Sequence, residues 1–413
     1  MTKRLYYPRE QQAGSLECEA QALACRQAEG GYEILLDATA IFPEVGGQLS
    51  DEGWLYHLQT GRELARVSHA REDGEDVWHL ADRPVEVGAR VRVKADEARR
   101  RDHSAQHSGE HILSGLASRL FGAKNVGFHM ANDYATIDLD IFLSEEQLWA
   151  LERAANEAVQ TDLPTEIQVV DGAALDGLEL RKKASGLTGE VRIIYVGGVD
   201  SCTCCGTHVH SSGEVGYIRI GSAIKYKGGT RLWFACGMRA VEEALAEKIV
   251  LDKLARRFST KGSEVGEAVL RQGDELAACK KELRHRTEEL LTYRAAELLA
   301  AAEEIGGLRL CAVLLEGLDM AELKTLAELL CKQSGVAAIL LSARDGSLLY
   351  QLARSQGVVA SMKELCLALN GLTGGRGGGR EDMAQGSAAI TASLRPQDAL
   401  EQMRAYCRQA LKA

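Results

Sequence analysis

Three histidines, His103, His107 and His111, stand four residues apart in the stretch RDHSAQHSGEHIL, and they constrain this chain more than any other feature. On a helix that spacing puts all three imidazoles on one face. Much further along, SCTCCGTHV adds Cys204 and His208 at a CxxxH spacing. Two imidazoles, a thiolate and one more imidazole make a closed tetrahedral zinc set, so the fold has to bring a helix and a distant turn together. An HxxxH pair alone also suits a hydrogen-bonded helix flank, and spacing does not choose between His103/His107 and His107/His111 as the helical ligands.

At 413 residues, 46% of them hydrophobic, the chain is too long for one ordinary core and predicts two or three domains. No apolar run reaches the ~18 residues of a membrane span, and MTKRLYYPRE lacks the apolar heart of a signal peptide, so a cytoplasmic protein without a membrane partner is expected. The 11 cysteines are odd in number and scattered from Cys18 to Cys407, clustering only at 202, 204 and 205, which reads as free thiols plus a metal site. A net charge of −10 argues against nonspecific coating of nucleic acid but leaves room for local basic surfaces such as Arg99-Arg100-Arg101, Arg181-Lys182-Lys183 and Lys225-Tyr226-Lys227.

The pattern along the chain predicts an α+β multidomain protein. Residues 1–92 carry short alternating runs such as YEILLDAT and RVRVKA and predict a small β-barrel. Inside it FPEVGGQLSDEG pairs Gly46 with Gly47, which suits either a tight turn or a close backbone approach to a ligand. Residues 93–239 predict an α+β zinc-containing domain: a helix from Asp96 to about Gly122, an antiparallel sheet facing it, and the CCGTH segment in a turn between strands. Residues 240–305, rich in Ala, Leu, Glu, Lys and Arg, predict a helical spacer broken at Ser259 to Gly266. Residues 306–413 predict a compact α/β domain with a glycine-rich loop, TGGRGGGREDMAQG, in which Arg376 and Arg380 could present guanidinium forks to phosphates.

One rival shares the helix. His107-Ser108-Gly109-Glu110-His111 also reads as HxxEH, the inverted zinc-peptidase motif, in which Glu110 would act as base to a metal-bound water. That chemistry expects a downstream carboxylate ligand, whereas this chain offers a cysteine and a histidine together. A purely structural zinc, in a protein that only binds RNA, is the other alternative.

HSGEHIL followed by CCGTH resembles the zinc set of the alanyl-tRNA synthetase editing domain and of its free-standing relatives, the alanyl-tRNA editing proteins. In that family two aliphatic residues follow the second histidine, and Ile112-Leu113 occupy those places, so the resemblance selects His107, His111, Cys204 and His208 and leaves His103 outside. PEVGGQLSDEG resembles the family's glycine-rich barrel motif, GGTRLWFACG the end of its editing domain, and GGRGGGREDMAQG the signature of the synthetase's C-terminal domain. The likeness spans nearly the whole chain, in the layout of the long AlaX type. It implies one zinc per chain and hydrolysis of the ester joining serine or glycine to alanine tRNA, tRNA(Ala). RNA contacts would then be expected at Gly46, Gly47, Arg376 and Arg380, with Glu110 and His129 as supporting groups near the zinc. The chain begins at the barrel, so ATP-dependent charging is not expected. Arg376 replaces a lysine of the family signature, which keeps the charge and alters the phosphate geometry. Cys202 and Cys205 flank the proposed thiolate and leave its assignment less secure than the histidines. A homodimer would form through the helical spacer or the C-terminal domain.

Overall fold

The computed structural model of this chain describes residues 1–7, 15–183, 189–391 and 394–411. It divides into two compact units, Met1–Leu254 and Ala255–Ala413.

The first unit opens with β1 (Lys3–Arg4), β2 (Glu17–Ala28), β3 (Gly31–Leu36), β4 (Ala38–Thr39), β5 (Gly53–His57), β6 (Glu63–Asp73), β7 (Asp76–Ala81) and β8 (Arg90–Ala95). Strands β2, β3, β7, β6, β5 and β8 close in that order into the expected barrel, while β1 pairs in parallel with β4. Alternation of buried and exposed side chains drives the closure: in β8 Val91, Val93 and Ala95 point inward, and they meet Ile34, Leu36, Leu55 and Val67 in the barrel core. The connection from β4 to β5 carries the paired glycines. Its Asp51 is fully buried, accepts a hydrogen bond from Phe42 N (2.8 Å) and pairs with the Arg100 guanidinium of the following helix.

That helix, α1 (Glu97–Phe121), begins where the Asp96 carboxylate accepts from Arg99 N, and it ends at Gly122 in the left-handed conformation (φ 69°). Every residue from His103 to Ala117 is buried, so α1 is a core element with chemistry on one side and apolar packing on the other. Then come β9 (Asn125–Met130), β10 (Ala135–Leu139), α2 (Glu145–Thr161), β11 (Thr165–Asp171), β12 (Glu190–Val196), β13 (Asp200–Thr203), β14 (Ile218–Tyr226) and β15 (Gly229–Cys236). Two antiparallel sheets form where one was expected, β14-β15-β10-β9 and β11-β12-β13. Ile112, Leu113 and Leu116 of α1 pack with Ile137, Leu151, Leu232 and Phe234 in a single core.

α3 (Met238–Phe258) and α4 (Val265–Ala300) realise the helical spacer, with the break at a short 3-10 turn over Gly262–Glu264. There follow β16 (Glu303–Ile305), β17 (Leu308–Glu316), α5 (Met320–Leu330), β18 (Val336–Arg344), β19 (Ser347–Arg354), α6 (Met362–Thr373), β20 (Arg376–Gly379), β21 (Met383–Ala389) and α7 (Pro396–Ala410). The six strands form one sheet, β16-β17-β18-β19-β21-β20, in which β17 and β18 run parallel and the other neighbours antiparallel. One core cluster joins Leu326 and Leu330 of α5 to Leu291 of α4, and another joins Met362 and Leu369 of α6 to Leu400 and Met403 of α7.

Here the sequence reading needs a correction. The centre of the glycine-rich stretch, Arg376–Gly379, is not a loop but edge strand β20, with Arg376 opposite Ser387 and Gly379 opposite Ala384. Gly377 and Gly379, with Gly386 of β21, answer a packing demand. A Cβ on Gly386 would lie 2.3 Å from the Tyr350 ring, and one on Gly377 would lie 2.4 Å from the Gln385 carbonyl. Such a glycine run looks like a flexible loop by composition alone.

Candidate metal centre

α1 and the turn after β13 bring His107, His111, Cys204 and His208 together, with one ligand atom of each lying within 4.8 Å of all the others. His107 Nε2 and His208 Nε2 each stand 3.4 Å from Cys204 Sγ. Tetrahedral zinc at its usual bond lengths would hold a nitrogen and a sulfur about 3.5 Å apart, so the donor set fits that ion in type and in spacing.

What aims these rings is a separate hydrogen bond on each Nδ1. His107 Nδ1 donates to Gln48 Oε1 (2.8 Å), His111 Nδ1 donates to Asp200 Oδ2 (2.8 Å), and His208 Nδ1 lies 3.0 Å from Ser108 Oγ. All three Nε2 atoms are thereby left for the centre, the arrangement by which outer partners fix the tautomer of metal-binding histidines. The three anchors come from three places: the barrel connection, β13 and α1 itself. Gln48 does more, since its Oε1 also accepts from Thr207 N (3.0 Å) and its Nε2 donates to Thr207 Oγ1 (2.8 Å). Asp200 in turn is gripped by Arg181, whose Nη2 donates to Oδ2 at 3.1 Å.

The electrostatics match a thiolate site. Burial pushes the Cys204 thiol up, but His107 and His208 beside it outweigh that and hold it well below the usual thiol range. Burial holds His208 neutral, pulled down to about 3. At His111 burial favours the neutral ring, yet Cys202 and Asp200 raise its affinity for a proton well above the ordinary value. Cys202 is buried and pushed up by that burial, while Cys205 is exposed and also pushed up, to about 11. Of the three clustered thiols, Cys204 alone belongs to the four-residue set; Cys202 joins His111 and Asp200 in a second, three-residue group.

The other expected residues fall as follows. His103 is buried on α1, one turn before His107, and belongs to neither ligand group; burial keeps it neutral, pulled down to about 4. Glu110 is buried beside the cluster. Its Oε1 accepts from Ser114 Oγ (2.6 Å) and Asn125 Nδ2 (2.5 Å), and its Oε2 lies 3.7 Å from His111 Nε2. His129 is exposed on β9, with its ring 6.1 Å from that of Tyr134, outside both ligand groups. Gly46 and Gly47, both with positive φ, line the metal side of the barrel. A Cβ on Gly46 would meet Cys205 Sγ at 2.8 Å, and one on Gly47 would meet the Phe128 carbonyl at 3.0 Å. Arg376 and Arg380 are exposed in the second unit, Arg380 facing Asp382 at 3.4 Å.

Sequence reading missed Gln48, Asp200, Arg181 and Arg192. Arg192 lies 4.3 Å over the Tyr7 ring, and its Nη1 donates to the Gly206 carbonyl (2.8 Å), bracing the turn that presents Cys204. The nearest signal was Gln48 in the paired-glycine stretch; nothing in the spacing of the others marked them.

Two segments of the chain match domains of tRNA synthetases. Residues 191–232, which include β12, β13 and the CCGTH turn, match the threonyl and alanyl tRNA synthetase second additional domain, and residues 307–413 match the DHHA1 domain. The alanyl-tRNA editing protein AlaX-L of Pyrococcus horikoshii is 28% identical over 98% of this chain and 99% of its own length. An alanine–tRNA ligase of Halorubrum lacusprofundi is 30% identical over 93% of this chain but only 42% of the ligase, and the editing protein Aarsd1-A of Xenopus laevis is 33% identical over 51% of each. Along nearly its whole length the chain is thus similar to an alanyl-tRNA editing protein of the long form.

Proposed function

We propose that this protein removes serine, and glycine, from mischarged tRNA(Ala) in trans, using one zinc per chain held by His107, His111, Cys204 and His208. The observation that carries the reading is the convergence of those four donors from two distant segments, each histidine anchored through its other nitrogen. Bound there, zinc supplies an electrophilic centre that orients and polarises the aminoacyl ester or a water. An aminoacyl ester is already activated, so the protein's own task is mainly to position it and to exclude competing geometries. Ser108 and Thr207 fix the turn against α1, and the buried Glu110 keeps Oε2 3.7 Å from His111 Nε2. The peptidase alternative fits less well, because the donors that join the helical histidines are a cysteine and a histidine, not the carboxylate that the HxxEH motif expects.

In this reading residues 1–92 and 93–239 form the editing half, 240–305 the spacer and 306–413 the C-terminal domain. Exposed Arg376 and Arg380 offer contacts to the tRNA body, and Gly46 and Gly47 let the barrel lie close to the acceptor end. Leu276, Leu283 and Leu290 stand exposed seven residues apart on α4, which supports a homodimer through the spacer. A cytoplasmic protein is the location this reading expects; no helix among the described residues is long and apolar enough to cross a membrane.

Incubation with Ser-, Gly- and Ala-charged tRNA(Ala) tests the function directly. Ser-tRNA(Ala) should be hydrolysed fastest, because a site that hydrogen-bonds the serine hydroxyl loses that bond with alanine. Substituting His107, His111 or His208 should remove the zinc, whereas His103→Ala should leave it bound. Equal rates on all three substrates, or zinc lost only from the His103 variant, would overturn the reading.

A further inference from the structure

The β14–β15 hairpin ends in a cluster of cations and rings outside the metal centre. Sheet β14-β15-β10-β9 sends Ile137, Leu232 and Phe234 into the core. At its free corner Lys225 Nζ lies 4.7 Å over the Phe142 ring, and Lys227 Nζ lies 5.1 Å from the centroid of Tyr226. Phe142 is 54% exposed and Ile224 49%, so the apolar part of this corner also faces water. Arg231 also stacks on Tyr226 (3.8 Å) but is neutralised by a two-pronged pair with Asp138, at 2.6 and 2.7 Å.

The two lysines differ from most surface cations of this unit. Arg66, Arg83 and Arg90 answer Glu52, Glu63 and Glu19, whereas Lys225 and Lys227 pair with no carboxylate among the described residues. In a chain of net charge −10, two unneutralised ammonium groups held over the exposed Phe142 and the half-buried Tyr226 form a local exception to the overall field. Free ammonium groups suit phosphates, and partly exposed aromatic side chains suit ribose or unpaired bases; this pairing of features is how proteins hold RNA strands. A protein partner of ordinary composition would gain from the rings but would need acidic side chains at both lysines.

We infer that the β14–β15 corner, through Lys225, Lys227, Tyr226 and Phe142, is a docking surface for RNA, and specifically for the tRNA on which the metal centre acts. The tRNA assignment rests on the proposed editing function; the RNA-binding surface does not. The two lysines neutralise phosphates while Tyr226 and Phe142 hold the strand against the sheet corner.

The experiment uses the full zinc-loaded chain and the double variant Lys225→Ala/Lys227→Ala, with deacylated tRNA(Ala) titrated at several salt concentrations. Two lost phosphate contacts should lower the slope of log affinity against log salt by roughly 1.8 on a duplex and weaken binding about tenfold at low salt. Tyr226→Ala and Phe142→Ala should weaken binding without changing the slope. Zinc content and melting temperature should stay as in the parent, since the lysines are exposed. A double variant with the parent's affinity and slope overturns the surface while leaving the editing function standing. If the parent clears no charged tRNA yet binds RNA with a slope that depends on the two lysines, the function fails and the surface survives. A change of mass in light scattering on the double variant would make the corner a contact between copies of this chain, and the inference would be wrong.

Discussion

Gly206 sits in the turn that carries Cys204 and His208, and it is glycine for want of space. A Cβ built there would lie 2.0 Å from His107 Cε1, 2.1 Å from His107 Nδ1 and 2.8 Å from Gln48 Oε1. Ordinary contact begins at 3.4 Å, so the Gly206→Ala variant has to open a gap of 1.4 Å against the first of these atoms. Its φ lies outside the left-handed region, so the whole penalty is steric. The His107 ring has little room to retreat: Gln48 holds its Nδ1, Cys204 faces its Nε2, and the Phe128 ring packs against it at 5.1 Å. Overfilling a packed site of this kind costs about 1–3 kcal/mol, and for a unit of this size each kcal/mol lowers the melting temperature by roughly 2–4 °C. A displaced first ligand should also weaken zinc roughly 10–100-fold, as loss of an anchoring partner does. Calorimetry on metal-free protein and chelator competition on loaded protein read the two effects separately. Gly177→Ala is the control, since no heavy atom lies within 4 Å of its Cβ position; removing glycine's freedom there should be neutral or gain about 0.4–1 kcal/mol. A Gly206→Ala protein that melts with the parent and binds zinc equally tightly would refute the packing argument.

Two further outcomes follow from the same contacts. Asp200→Asn cannot satisfy both His111 and Arg181, and leaving the part-buried guanidinium without its buried carboxylate should destabilise the first unit by about 3 kcal/mol while lowering zinc affinity roughly 10–100-fold; denaturant melts within experimental error of the parent would count against it. His79, wholly buried in the barrel and 2.8 Å from Thr39 Oγ1, is pulled down by burial from 6.5 to about 4. Unfolding frees it to take a proton, so its share of stability is complete above pH ~6.5 and about 3 kcal/mol is lost as the pH falls towards ~4. His79→Gln should remove about one proton from the uptake on unfolding in that window, and an unchanged pH slope would refute the assignment.

The histidine helix was legible because two local codes agree there: Asp96 and Gly122 mark its ends, and the apolar face of Ile112, Leu113 and Leu116 has the helical period. The barrel was legible for a similar reason, as the alternation in RVRVKA matches its burial residue by residue. What stayed hidden depends on contacts between residues far apart in the chain. Asp200 reaches His111 across 89 positions and Gln48 reaches His107 across 59, and neither spacing has a period to betray it. Strand β16 is three residues of EEI at the end of a helical composition, too short for alternation to show. β20 was hidden because glycine reads as loop until the β21 backbone that crowds Gly377 and Gly379 is known.

The barrel's place in the chemistry follows from Gln48. Its amide oxygen receives both His107 Nδ1–H and Thr207 N–H, so one side chain from the barrel connection ties a helical ligand to the turn that bears the thiolate. Without it two buried donors would be orphaned, each at about 1–3 kcal/mol, and the His107 ring would lose the bond that keeps Nε2 towards Cys204. Arg100 reinforces the same seam from the other direction, crossing from α1 to the fully buried Asp51 and to the Ala40 carbonyl (2.7 Å). The paired glycines before Gln48 let the connection run flat against β9, where the Gly47 carbonyl accepts from Met130 N (3.2 Å). The seam is therefore part of the site: α1 supplies two donors and the turn two more, but the barrel sets the angle at which they meet.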